Sequence, residues 1–459
     1  MGKQRAVIIA LVLISIILTS SFIIYELGFK RSSVPSGPFS GALWQRPIAN
    51  FANDIAVNDG KVFTTDNSGN VNCFDSQNGE SIWNGSLGGS SHKIEISENQ
   101  VYVSFKHGQV GCFDEDTGTL LWTFQNPQAL NSYFSDAPRI IVNDGRVFAI
   151  TDTISAHNAT TGELLWQAIP STKNFDVPWS HGQLHTFPLS GDPFDSKCVY
   201  AIGGNFSGLY YYKIKTDNGS VIWRSNVTWN GTILTYGADF QLWLPSVLAI
   251  SQEKVIVKII FQEDYAVNLL LCLDSITGKE LWTIDVGAKV YNPIIYNNLL
   301  LFAASNGYFY ALNLADGTIT WKTKVDTQNL FSLGVQSSSI QIDSKNQRLF
   351  WYYVIEQSGT SNNYTGTLCS LNLAGSNVKW MKQINSNRTV LGYYGSGVGL
   401  AINNDTNMIF LTENWGLWIF NASTGDLIQS QQFDHSVLAP IVLGNKTFVV
   451  GDLWLFAYA

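Results

Sequence analysis

Short apolar, β-rich runs broken by polar turn residues recur along nearly the whole chain. The stretches VFTTDNSGNVNCFDSQNGESIW, VYVSFKHGQVGCFDEDTGTLLW, NLLLCLDSITGKELW and LLFAASNGYFYALNLADGTITW end at Trp83, Trp122, Trp282 and Trp321. Each reads as β-rich runs, an Asp/Asn-x-x-x-Gly turn and a short strand closing on Trp. A repeat of about 40 residues with several strands per unit predicts a β-propeller.

The Trp residues act as a ruler. They stand at Trp44, Trp83, Trp122, Trp166, Trp223, Trp282, Trp321 and Trp380, with gaps of 39, 39, 44, 57, 59, 39 and 59. The bare module is therefore 39 residues long, and the excess elsewhere is insertion. A Gly lies four residues before Trp at Gly79, Gly118, Gly162, Gly219, Gly278 and Gly317. It supplies the positive φ at which a hairpin re-enters a strand. Asp75, Asp114, Asn158, Asp274 and Asn313 precede these turns and can hydrogen-bond the turn backbone. Near Trp380 the Gly comes one residue early, at 375, and the unit ending near Gln429 keeps FNASTGDL without the Trp.

On these residues the module resembles the repeat of the pyrroloquinoline quinone (PQQ)-like, or quinoprotein-type, propeller family, whose consensus is similar to VYVGSxDGxLYALDAxTGKxLW. The resemblance covers roughly residues 42–459. It implies that each Trp docks on the neighbouring blade. A buried indole removes about 150–250 Å² from water, a gross gain of ~4–6 kcal/mol, so these Trp residues are expected to be structural. Three-strand groups fall at about 54–75, 93–114, 138–158, 182–217, 245–274, 293–314, 338–373, 398–421 and 437–458. The last lacks a fourth strand, which GALWQRPI (41–48) can supply to close the ring and remove two exposed edges. The groups number nine, whereas quinoprotein-type rings usually have eight blades. The expectation is an all-β fold, one propeller of eight four-stranded blades with nine as the alternative.

Charge is low, at 14% Asp, Glu, Lys and Arg, with a net charge of −8 and no basic cluster past the N-terminus. That balance argues against a nucleic-acid partner. Five Cys without close spacing form neither a disulfide framework nor a zinc site. Cys73, Cys112 and Cys272 share one place in the module and Cys369 lies close to it, as expected of small core residues.

The domain organisation expected is a stub (1–5), a transmembrane signal anchor (6–25), a flexible linker (26–41) and the propeller (42–459). Ala6 to Tyr25 carries no charge over 20 positions, enough helix to span roughly 30 Å. Cleavage near Thr19, which would release a secreted form, is the alternative to anchoring. Lys3 and Arg5 before the span, against Lys30 and Arg31 after it, lean slightly towards a cytoplasmic N-terminus. Sequons for N-glycosylation occur at Asn84, Asn158, Asn205, Asn218, Asn226, Asn230, Asn363, Asn387, Asn404, Asn421 and Asn445. This composition would make roughly seven by chance, and the excess supports an extracytoplasmic, glycosylated propeller.

Antiparallel topology sorts the insertions. A–B and C–D turns share one face of a propeller; B–C and D–A connections share the other. The long segments are D–A (168–197, 226–244, 385–397) and B–C (261–268, 356–367), so all fall on one face, where binding usually resides. The candidate binding face comprises Trp179, His181, His185, Trp229, Tyr236, Trp243, Tyr393 and Tyr394. Aromatics there suit a protein or carbohydrate partner; packing of the loops onto the blades is the structural alternative. His181 and His185 are four apart, but Pro178, Gly182 and Pro188 oppose the helix that a metal pair would need.

The resembling family includes quinone-dependent alcohol dehydrogenases, which carry a vicinal Cys pair on the cofactor and a catalytic Asp beside calcium. No Cys-Cys, CxxCH, GxSxG, HExxH or P-loop motif occurs here, and no catalytic residue is assigned. The sequence therefore predicts a non-enzymatic scaffold at the cell surface, anchored through its N-terminal helix and binding protein or glycan without a cofactor. The alternative is an enzyme with its site in the funnel: a divergent quinoprotein dehydrogenase using PQQ and calcium, a hydrolase or a lyase.

Overall fold

The computed structural model describes residues 41–459 apart from 126–137, 151–153, 169–189, 192–194, 206–207, 227, 230–231, 234–241, 252, 262–267, 289, 326–339, 357–363, 374–376, 385–398, 414 and 435–436. Among them, nine four-stranded antiparallel sheets follow one another as blades. Blade 1 is typical, with strands A to D at Ala52–Asn58, Lys61–Asp66, Asn70–Asp75 and Ser81–Ser86. Strand B is buried from Val62 to Asp66, whereas strand D is mostly exposed around a buried Trp83. This follows from position: B and C lie between neighbouring blades and bury both faces, while D is the outer edge.

The apolar clusters span blade boundaries, so each blade completes its core only against the next. Phe63 and Cys73 of blade 1 cluster with Ile94, Val103 and Phe105 of blade 2. Leu270 and Cys272 of blade 5 meet Leu300 and Phe302 of blade 6. None of the five Cys forms a disulfide, and all are buried. Cys73, Cys112 and Cys272 lie across the sheet from Trp83, Trp122 and Trp282, and Cys369 is one position off, opposite Met381. Burial pushes the Cys73, Cys112 and Cys272 thiols up to about 12, which makes them core residues and not nucleophiles.

The Trp locks run from each blade to the next. Trp83 Nε1 donates to the Glu115 carbonyl (2.8 Å), Trp122 to Ala159 (3.0 Å), Trp166 to Thr216 (2.8 Å), Trp223 to Ser275 (3.0 Å) and Trp282 to Leu314 (3.0 Å). Each ring rests on the turn Gly of the blade it joins. At Gly118 a Cβ would come within 2.5 Å of the Trp83 indole, and φ is +69°, so the turn and the docking both demand Gly. The preceding carboxylates and amides act as expected; Asp75 Oδ1 accepts from the backbone N–H of Gln77 (2.7 Å) and Asn78 (3.1 Å). Burial is uneven. Trp83, Trp223 and Trp282 are buried, while Trp44, Trp122, Trp166, Trp321 and Trp380 are half-buried.

In blades 1 to 8, strand D carries a one-residue bulge just before the Trp position. A bulge twists and interrupts an edge that would otherwise invite strand addition.

The ring has nine blades, not the expected eight. Blade 9 combines Ile441–Leu443, Lys446–Gly451 and Trp454–Tyr458 with Trp44–Pro47, in register Trp44↔Ala457 to Pro47↔Trp454. The ruler shows eight Trp for nine blades because Gln429 takes the Trp position in blade 8. That side chain would dock on the C–D turn of blade 9, which does not exist where strand D comes from the other end of the chain. Closure is apolar and polar together. Ile48, Ile55, Val62 and Phe74 cluster with Phe448, Val450 and Leu455, and Lys446 Nζ donates to the Ser76 carbonyl (3.2 Å).

No helix among the described residues is long and apolar enough to cross a membrane. The expected anchor (6–25), and the linker as far as residue 40, lie outside the described residues.

Candidate functional site

The two faces of the ring are built differently. Among the described residues, turns between strands A and B, and between C and D, stay short. On the opposite face, strands B and C lengthen in three blades. Blade 4 pairs Cys198–Asn205 with Gly208–Lys215 out to Asn205↔Gly208. Blade 5 pairs Lys254–Phe261 with Asn268–Asp274, and blade 7 pairs Arg348–Glu356 with Tyr364–Asn372 out to Glu356↔Tyr364. These strands have 7 to 9 residues where those of blade 1 have 6. The continuous runs Lys254-Val-Ile-Val-Lys-Ile-Ile-Phe261 and Arg348-Leu-Phe-Trp-Tyr-Tyr-Val-Ile-Glu356 sustain pairing past the blade body.

The predicted binding residues are not gathered into one described site. Trp229 lies in a small hairpin, Thr228–Trp229 against Thr232–Ile233. Trp243 belongs to strand A of blade 5 (Leu242–Ile250), opposite Ile260, and so is not a loop residue as expected. Trp179, His181, His185, Tyr236, Tyr393 and Tyr394 lie outside the described residues, as do Asn230, Asn363 and Asn387. Among the described residues no three His, Cys, Asp or Glu side chains converge to hold a metal ion. No two Cys are adjacent in the chain, so the vicinal pair implied for a bound quinone is not supplied and the residues present do not fit that group.

One titratable residue on this face was missed. Glu413 ends strand B of blade 8 (Met408–Glu413) and is only 2% exposed. Beside it stands Tyr352 of blade 7, whose phenol also lies close against Gly366. Burial pushes the Glu413 carboxyl up to about 7, opposed by the lowering effect of the Tyr352 hydroxyl. Asp66 holds the matching place in blade 1, where the B–C turn satisfies it: Oδ1 accepts from Ser68 N (2.8 Å) and Asn70 N (3.0 Å). A carboxylate ending the apolar run MIFLTE was the available signal.

The sign of the resulting pH dependence is fixed. A folded-state pKa above the unfolded value means that the native state holds the proton longer. The contribution to stability is complete below about pH 4.5 and is lost as pH rises towards about 7. Glu413→Gln is therefore expected to stabilise the ring at pH 8 by about 3 kcal/mol, at 1.36 kcal/mol per pKa unit, and to change little at pH 4. Urea midpoints at the two pH values check this; equal shifts at both would refute it.

A closed ring of Trp-locked four-stranded blades, with its extensions on one face, defines a quinoprotein-type repeat propeller. The chain belongs to the PQQ_2 family, described as outer membrane protein assembly factor BamB, whose model matches residues 40–224 and 212–392. It is 22% identical over 222 residues to outer membrane protein assembly factor BamB of Yersinia pestis, covering 40% of this chain and 54% of that one. It is 28% identical over 207 residues to tetrathionate hydrolase of Acidithiobacillus ferrooxidans, covering 41% of this chain and 37% of that one. The matches thus span about half and just over a third of these relatives. Quinohemoprotein alcohol dehydrogenase of Comamonas testosteroni shares the fold with a TM-score of 0.52 at 13% identity, over 91% of this chain and 76% of that one.

Proposed function

We propose that the protein is a non-enzymatic, extracytoplasmic scaffold, tethered through residues 6–25, that holds a protein partner on the face where blades 4, 5 and 7 project. The asymmetry between the faces carries the reading: three blades extend paired strands beyond the ring on one side, while the other has short turns. Paired strands present a docking surface at lower entropic cost than unpaired segments. Membership of a family described as an assembly factor supports a protein partner; a glycan is the other candidate for the same face. Photo-crosslinking residues placed at 229 and 356 on the projecting face, and at 98 and 163 on the turn face, test this in cells. Adducts to a defined protein from the first pair alone support the proposal. Equal labelling from both faces, or none from 229 and 356, refutes it.

The second reading is an enzyme. It is favoured by Glu413, whose titration near neutrality suits a general acid or base, and by the partial likeness to a hydrolase. The quinone-dependent dehydrogenase version is tested by titrating the protein with PQQ and calcium while following Trp fluorescence and dye-linked alcohol oxidation. Saturable binding with turnover would overturn the scaffold reading.

A further inference from the structure

Six sequons have both the Asn and the hydroxyl residue described, and the structure divides them. Transfer of a glycan to a folded protein needs the Asn amide and the hydroxyl two residues on to be reachable together. On strand D of blade 1, Asn84 and Ser86 are both exposed. In the C–D turn of blade 4, Asn218 and Ser220 are both exposed, and Asn218 Oδ1 accepts from Ser220 N (2.9 Å).

The others lack one half. Asn445 is exposed, but Thr447 is fully buried and its hydroxyl accepts from Asn403 Nδ2 (3.3 Å). Asn404 is exposed, while the Thr406 hydroxyl is buried. Asn421 is half-buried, and the Ser423 hydroxyl accepts from Arg348 Nη1 (2.9 Å). Arg348 is in turn ion-paired with buried Asp343 at 2.6 Å, so that hydroxyl belongs to a clamp between blades 7 and 8. Asn158 is half-buried, so its amide is less reachable than that of Asn218, although Thr160 is exposed.

We propose that Asn84 and Asn218 are N-glycosylation sites of the folded propeller and that Asn421 and Asn445 are not. The amide nitrogen attacks the anomeric carbon of a lipid-phosphate-linked oligosaccharide. The new C–N bond replaces the C–O bond to the lipid phosphate, which leaves with the electron pair, and the nitrogen gives up one proton. The proposal rests on the extracytoplasmic reading. It adds a role at Asn84: this Asn lies on an outer strand whose backbone edge is unpaired among the described residues, and a glycan there bars strand addition to blade 1.

The test uses the full chain purified without glycans, incubated with a sequon-directed oligosaccharyltransferase and its lipid-linked donor, with occupancy read by mass spectrometry. Urea-unfolded chain and synthetic peptides of each sequon serve as references. The expected result is sugar on Asn84 and Asn218, at least tenfold less on Asn421 and Asn445, and loss of the difference on unfolding. N84Q and N218Q should each remove one glycan mass. Comparable modification of Asn421 or Asn445 in the folded chain overturns the proposal, as does inertness of Asn84 and Asn218 when the unfolded chain reacts. Because the reaction is run on purified protein, failure reports on the surface of the ring. The compartment is read separately, from glycan masses on chain taken from its native membrane.

Discussion

A chain lacking residues 42–50 is expected to lose on the order of 5 kcal/mol or more, and blade 9 is expected to open first. The segment contributes strand D of that blade, flanked by Leu43 N donating to the Ala457 carbonyl (2.7 Å) and Ile48 N to Leu453 (2.8 Å). Trp44 rests on Gly79, tilts against Phe448 at 5.8 Å and donates to the Ser76 carbonyl (3.3 Å). Arg46 donates to the carbonyls of Gly79 (2.7 Å) and Asn78 (3.0 Å), tying blade 9 to blade 1 a second time. Ile48 is 6% exposed. Losing a buried aliphatic and a docked indole together costs several kcal/mol, and Trp454–Tyr458 is left as an open edge. Hydrogen exchange localises the effect: amides of 446–458 should exchange much faster while those of blades 3 to 6 change little. Unchanged protection in 446–458 would show that the ring does not depend on this strand.

The second large effect is at Trp282. Substitution by Ala should cost about 3–5 kcal/mol, as for buried large-to-small changes. The indole is 8% exposed, rests on Gly317 and joins a cluster with Ile256, Leu270, Leu300 and Phe302. Its removal leaves a cavity between blades 5 and 6 and strips the Leu314 carbonyl of its donor. Trp321→Ala makes the comparison, because Trp321 is half-buried and should cost distinctly less. Urea unfolding of the two variants side by side settles the order; similar losses would mean that burial is not what sets the effect.

These locks were legible in the sequence because they are local and periodic. The Asp75 and Asp114 turns, their Gly residues and the Trp strands can each be read within one module, and the spare GALWQRPI strand announced closure. The blade count was less clear. Gln429 hides one blade from the ruler, and of strand A in blade 4 only Ser190–Gly191 lies among the described residues. The only local mark of Glu413 was its place at the end of the apolar run MIFLTE; its titration depends on burial beside Tyr352, about 60 residues away in the chain. The projecting face was found from loop lengths alone, but the continuation of strand A through Trp243 depends on pairing with Ile260 that no local pattern reveals.

The two-ended blade also sets a timetable. Trp44 is made 413 residues ahead of its partner Ala457, so at about 5–20 residues per second the nascent chain spends roughly 20–80 s with blade 1 lacking its neighbour. For that interval the flank of blade 1 around Ile48, Ile55 and Phe74 has no cover. Joining segments so distant in sequence is slow for entropic reasons. Until the last strand arrives, the growing propeller is an open arc with two sticky ends, and it is then that a chaperone has most to guard.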